Sequence, residues 1–442
     1  MARNLDTSIP TDSTSTAPLS WSLNVRLSLM MFLQYATWGA WLPLLWPFLF
    51  EYRGFTAGQI GNIYAVSAVG AFLGPFIAGQ IADRYFATEH FLAISHVLAG
   101  LVAWSMATVD SYLGFLSCSL AYSLLYLPTV SLTNSLSFHH LPDRYRDFGK
   151  IRVWGTVGWI VVGIVVGQWL WHVHTPAGAT PEQIRAAQVA GMADAFRLSG
   201  VLGVSMGLFC LLLPHTPPCP GLQKYAAWEA LTEIRKQPLV TLFLIAVPIS
   251  CVNQLYMIHA AGFLGRYQLR LSEWINAIFG VGGGGLMTIG QISEVGVLAL
   301  MPWLVRRFSH RALLAAGLFA SAVRLFLFAY VDALPVPPLL SLVVAIAMNG
   351  ISFGCFVFVG YMIVDEKTTE DVRASAQSLF NLTTFGMGLF AGSYFAAGVA
   401  SWASTAGRLD YTRLFGLPMW ASLACWLALL VFYPRERNAG RK

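Results

Sequence analysis

The chain reads as long apolar runs separated by short polar segments. Twelve of the runs have the length of a membrane-crossing helix: 22–50, 59–82, 88–109, 112–139, 149–171, 192–214, 239–265, 274–305, 311–331, 336–364, 372–400 and 412–433. A helix needs about 20 apolar residues to cross the hydrocarbon core, and it satisfies its own backbone there. Such runs predict transmembrane helices, and several hold Gly and Pro, which membrane helices tolerate better than soluble ones. The polar segment His215–Gln237 divides them evenly. The predicted architecture is an all-α membrane protein with a six-helix bundle over 21–214, a cytoplasmic linker over 215–237 and a second bundle over 238–434. Residues 1–20, rich in Ser, Thr and Pro, read as a disordered tail and not as a signal peptide; 435–442 form a short cytoplasmic tail.

Composition agrees. Of 442 residues, 56% are hydrophobic and 11% charged, with a mean hydropathy of +0.62; soluble proteins carry about 25% charged residues. Basic residues stay on the cytoplasmic side of a membrane. Placing the N-terminus there puts 19 Lys and Arg residues inside and 7 outside, with Arg324 within the membrane. Both termini are therefore expected in the cytoplasm. The pI near 9.0 reflects this orientation and not nucleic-acid binding, which would cluster the basic groups on one folded face. Six cysteines (Cys118, Cys210, Cys219, Cys251, Cys355, Cys425) show no metal-ligand spacing and read as small buried hydrophobes. No metal and no cofactor is expected.

The halves repeat each other. Ala82-Asp83-Arg84-Tyr85-Phe86 and Leu304-Val305-Arg306-Arg307-Phe308 stand 222 residues apart, Asp143 and Asp365 likewise, and Arg152 and Arg373 are 221 apart. Two parallel halves with a site between them at the midplane is the arrangement of major facilitator transporters. Gly79-Gln80-Ile81-Ala82-Asp83-Arg84 resembles that superfamily's signature after the second helix. The resemblance implies a cytoplasmic gate at Asp83 and Arg84, with Asp83 facing the positive N-terminal end of the eleventh helix. Val305 stands in the second copy, so the gate is one-sided.

Within the runs, ionisable groups are few. Glu294 sits in an apolar stretch from Ala277 to Trp303 that holds no other one. A carboxylate at that depth costs roughly 2.5–3.5 kcal/mol and marks a functional site by default. Gln291, three positions earlier, shares its helical face. Counting about 1.5 Å per residue, Glu294 lies roughly 18 Å in from Arg306 and Arg324 roughly 20 Å in from Arg311. At one depth on consecutive helices, the two are expected to form an ion pair that offsets their desolvation. Gln34, Trp38 and Trp41, Tyr122, Tyr126, Thr129, Thr133 and Asn134, Arg152, Thr156 and Trp159, Asn253 and Gln254, Asn349 and Phe353, and Gln377 and Asn381 reach similar depth. Carboxamides can bond the edge of a planar heterocycle and aromatic rings can stack on its face. That chemistry suits a neutral, flat solute.

Enzymatic readings are weaker. Gly203-Val204-Ser205-Met206-Gly207 matches a nucleophile-elbow pattern but lies in an apolar helix without strand-turn-helix context. Gly282–Gly285 lacks the Gly-Lys-Ser/Thr of a phosphate loop and is expected to let the eighth helix bend or pack closely.

Several segments resemble the nucleoside:proton symporter family of the major facilitator superfamily: Phe32-Leu33-Gln34 with Trp38-Gly39-Ala40-Trp41-Leu42, Tyr126-Leu127-Pro128-Thr129 with Asn134, Ile151-Arg152-Val153-Trp154-Gly155-Thr156-Val157-Gly158, Gln291-Ile292-Ser293-Glu294, Arg324-Leu325-Phe326-Leu327-Phe328-Ala329-Tyr330, and Arg373-Ala374-Ser375-Ala376-Gln377. The resemblance implies a nucleoside site using Arg152, Thr156 and Trp159, with Gln254, Gln291 and Glu294 opposite and Phe353 nearby, and Glu294 as the proton-coupling candidate. Asn349 stands where the family pattern has a tyrosine, Met257 where it has an asparagine, and Gly354 where it has a second acid. The expected protein is a monomer in the cell inner membrane that takes up a nucleoside with a proton; a sugar permease of the lactose type is the alternative.

Overall fold

The structure, a computed structural model, describes residues 19–77, 87–217, 227–269, 273–405 and 408–434. Asp83 and Arg84 lie outside them. Helices account for nearly all of it: α1 (Trp21–Gly39), α2 (Ala57–Ile77), α3 (Thr88–Met106), α4 (Tyr112–His140), α5 (Arg144–Val173), α6 (Pro181–Gly191), α7 (Ala193–Cys210), α8 (Ala227–Ile234), α9 (Leu239–Gln268), α10 (Glu273–Phe279), α11 (Gly284–Arg307), α12 (His310–Ala329), α13 (Pro338–Ser352), α14 (Val359–Lys367), α15 (Glu370–Asn381), α16 (Gly388–Trp402) and α17 (Tyr411–Phe432). One two-stranded antiparallel pair, Ser404–Thr405 with Arg408–Leu409, sits before α17.

Among the described residues, ten spans are long and apolar enough to cross a membrane. Every one of the twelve apolar runs contains helix, but α1 and the described part of α2 fall short of that standard. Three runs carry wide π-helical turns: Phe48–Tyr52 at the end of the first run, Phe353–Phe358 joining α13 to α14, and Leu382–Met387 joining α15 to α16. Such turns interrupt the regular ladder and concentrate at functional sites. The glycine run breaks the eighth apolar block in two. Gly280, Gly282 and Gly283 take φ of 68°, 86° and 88°, a region costly for residues with a Cβ, so α10 ends and α11 begins afresh. The helix α6 was not expected. It is a polar stretch started by Thr180, whose side chain accepts from the Gln183 amide while Gln183 returns the bond, a reciprocal capping box.

Helices α1 to α7 pack mainly on one another, and so do α9 to α17. The two groups meet where α5 faces α11, α2 faces α16, and the segment after α1 faces α9. Polar contacts between them gather at one end. Val281 N donates to Gly167 O at 2.9 Å, and Gln168 Nε2 donates to Ala277 O at 2.8 Å. Trp46 meets the His259 ring edge-on at 4.1 Å. Glu51 takes a two-pronged bond from Arg185 at 2.9 and 3.0 Å and lies 3.5 Å from Arg266 of the second group. This end is sealed by backbone, ring and charge together.

Candidate functional site

Below the sealed end a cavity of about 260 Å³ lies between the two groups. From α5 come Arg152, Thr156 and Trp159, one helical face at spacings of four and three; from the other group come Gln254, Gln291, Glu294, Asn349 and Phe353. All eight candidates read from the sequence therefore line one chamber. Trp159 meets Trp38 edge-on at 5.9 Å, which fixes two ring faces on the first group's wall. The Arg152 guanidinium lies 4.2 Å over the Tyr35 ring, a cation–π contact worth about 0.5–2 kcal/mol. On the opposite wall Gln254 Nε2 donates to Ser393 Oγ at 3.4 Å, while Gln291 Oε1 is buried with no partner among the described residues.

Glu294 and Arg152 are the carboxylate and the guanidinium of this lining. Glu294 is half-buried and makes no ion pair among the described residues. Arg152 lines the same cavity from the other group of helices.

That corrects one expectation. Arg324 does not pair with Glu294. It is fully buried, donates from Nη1 to Asn349 Oδ1 and lies 3.9 Å over the Tyr256 ring. Equal depth was right and the direction around the helix was not. Helix α13 packs against both α11 and α12 and stands between them. Gly350 makes this possible: a Cβ there would run into the Ser293 and Glu294 backbone. The close approach puts Asn349 in front of Arg324.

Other amides expected at this depth turn away. Gln34 is buried within the first group, donating to Thr129 Oγ1 at 2.9 Å and bonded to His96 at 2.8 Å. Gln377 donates to Tyr361 O at 3.0 Å and Asn381 accepts from the Tyr361 hydroxyl at 2.9 Å. Tyr35, Tyr64, Ser67, Met257, Phe385 and Leu389 line the cavity without having been singled out as lining residues. Helical phase points to Tyr35, which leads Trp38 and Leu42 at i, i+3 and i+7; the others carry no such signal. A smaller cavity of about 60 Å³ shares Asn253, Gln254 and Phe353 and extends along Ser250, Ser352 and Thr384. Because α9 runs toward Arg266 at the sealed end, Ser250 lies on the far side, so the extension leads away from the seal.

Known proteins share this chain's sequence and shape. The family model described as nucleoside H+ symporter matches residues 21–438. The chain is 34% identical over 371 residues to YegT of Escherichia coli (strain K12), named as a nucleoside transporter, covering 83% of this chain and 82% of that one. It is 26% identical over 427 residues to the xanthosine permease of the same organism, covering 94% and 97%. Crystal structures of the nucleoside transporter NupG superpose with TM-scores of 0.81 and 0.78 at 24% identity, covering 93% and 92% of this chain and 100% and 98% of those chains; at that identity the likeness establishes the fold. With ten apolar spans among its described residues, the chain is a multi-pass protein of the cell inner membrane and a transporter, not an enzyme. It belongs to the nucleoside H+ symporter family.

Proposed function

We propose that the protein takes up nucleosides together with protons by alternating access, rocking two six-helix bundles, 21–214 and 238–434, about the central cavity. Both termini face the cytoplasm, and Asp83 and Arg84 gate that side. The observation that carries this reading is the convergence of Arg152, Thr156, Trp159, Gln254, Gln291, Glu294, Asn349 and Phe353 on one chamber between the two groups of helices. Rings supply faces for a flat base, and amides supply edges for its hydrogen bonds. The distribution of Lys and Arg supports an extracytoplasmic position for the sealed end with Glu51 and Arg185, and with it an inward-facing reading of this arrangement.

Among the described residues Glu294 has no fixed partner, which suits a group that must gain and lose a proton as its access to water changes sides. Ionised, it faces the positive Arg152; protonated, it leaves that charge to polarise an uncharged solute. Reconstituted vesicles test the reading. Uptake of labelled uridine should be competed by other nucleosides and not by sugars, and an inward proton gradient should raise it. Competition by sugars alone would discard the reading.

The seal carries its own prediction. Arg266→Glu sets two carboxylates together at the interface, and pairs of this partly exposed kind are worth about 0.2–1 kcal/mol. Gly163 lies on α5 between the cavity residue Trp159 and the seal residue Gly167, facing Gly284 and Thr288 of α11. In a background with its cysteines replaced, Gly163→Cys should then label roughly two- to fivefold faster with an impermeant maleimide added outside. Unchanged labelling would show that Glu51 and Arg266 do not hold this end closed.

A further inference from the structure

Asn349 lines the cavity, and what it offers there is decided by the residue behind it. Arg324 Nη1 donates to Asn349 Oδ1. A guanidinium carries donors and no acceptor, so the carboxamide cannot be turned over without setting N–H against N–H. The oxygen is turned to Arg324, and Nδ2 is the atom left to meet a ligand. Asn349 is thereby a donor and not the ambivalent amide it would otherwise be. Arg324 is itself held in place. It is fully buried, its Cζ stands 3.9 Å over Tyr256, and Tyr256 packs edge-on against Phe328 at 5.8 Å. No carboxylate among the described residues pairs with it.

The surroundings place this donor beside a ring site. Phe353 follows Asn349 by four residues, on the same helical face, and both line the cavity with Gln291 and Trp159. A flat base lying against Phe353 turns an edge toward Asn349. Taking the cavity as the nucleoside site proposed above, we infer that Arg324 is a positioning residue that makes Asn349 an obligate hydrogen-bond donor, and that the pair selects nucleosides with a carbonyl at the outer base edge over those with an amino group there. A ring carbonyl accepts from Nδ2. An exocyclic amino group sets donor against donor and leaves both unpaired in a desolvated site, which hydrogen-bonding pockets reject strongly.

Uridine and cytidine differ at this edge, and so do inosine and adenosine, which makes each couple a matched test. In proteoliposomes the wild-type protein should favour the carbonyl member of each couple by roughly tenfold or more in kcat/KM. Asn349→Asp presents acceptors held by Arg324 and should reverse both preferences. Arg324→Met frees the amide to rotate, so both ratios should fall toward one, whereas Arg324→Lys, which keeps a donor, should retain most of the preference. Poor folding would lower all four nucleosides alike and leave the ratios unmoved; if Arg324→Met does not fold, Asn349→Asp decides. Equal transport within each couple by the wild type, or an unaltered ratio in Asn349→Asp, overturns the inference. Transport of none of the four would instead overturn the nucleoside reading beneath it.

Discussion

Glu294→Gln abolishes proton-driven accumulation of substrate while leaving substrate-for-substrate counterflow intact. The amide keeps the size of the protonated carboxyl and its capacity to donate and accept, but it cannot release a proton. The variant carrier is permanently in the state that a loaded, protonated carrier adopts, so it can still alternate and exchange. What it loses is the linkage between the proton and the solute. One pH unit is worth about 1.4 kcal/mol, a factor of ten, so with one proton per solute and a one-unit inward gradient the wild type should accumulate substrate about tenfold. The variant should stop at equality. The sign is fixed by the mechanism: lowering the outside pH loads Glu294 with its proton and raises wild-type uptake, and it should leave the variant unmoved. Loss of both accumulation and counterflow with binding preserved would make Glu294 a part of the rocking motion and not a proton carrier. Accumulation at the wild-type level would remove it from the mechanism.

Depth along a helix was legible in the sequence because charged loop residues mark where each span starts and the rise per residue is constant. Direction around the helix was less legible. Glu294, Gln291 and Arg152 were found because a charge or amide in an apolar run has few places to point in lipid. The same logic misread Arg324, whose partner turned out to be Asn349 on a third helix. A one-dimensional pattern holds no record that Gly350 lets α13 slide between α11 and α12. Gln34, Gln377 and Asn381 show the related limit: at equal depth, an amide that bonds a neighbouring helix looks the same in sequence as one that faces solvent. Their bonds to Thr129 and Tyr361 need coordinates. The missed helix α6 is a different matter. Thr180-Pro181-Glu182-Gln183 spells a capping box with proline in the first turn, a local signal that lies outside every apolar run. The glycine run was legible as a place of bending or close packing, and the positive φ angles of Gly282 and Gly283 show it as a full break.

That break supplies the second large effect. Gly280→Ala should hold the sealed end open and stop uptake and counterflow alike. Gly280 has a φ of +68°, and a Cβ there would run into the backbone of Gly167 and Gln168 on the opposite group. Both sides of the clash are main chain, so no side chain can swing aside. The hydrogen bond from Val281 N to Gly167 O sits at the same point and would be lost with the contact. Overpacking costs about 1–3 kcal/mol, and this clash exists only where the two groups meet, so the closed population should fall by roughly fivefold to more than a hundredfold. The left-handed backbone adds roughly 1–2 kcal/mol to the cost of the substitution itself. Binding from outside should persist, since the cavity residues are untouched, and Gly163→Cys should become reactive to external maleimide. Gly178→Ala separates strain from contact: its φ is +74° with nothing within 4 Å of the added Cβ, so it bears the conformational cost alone and should transport normally. Should Gly280→Ala transport as well as Gly178→Ala, the approach of Gly280 to Gly167 is not what closes this end.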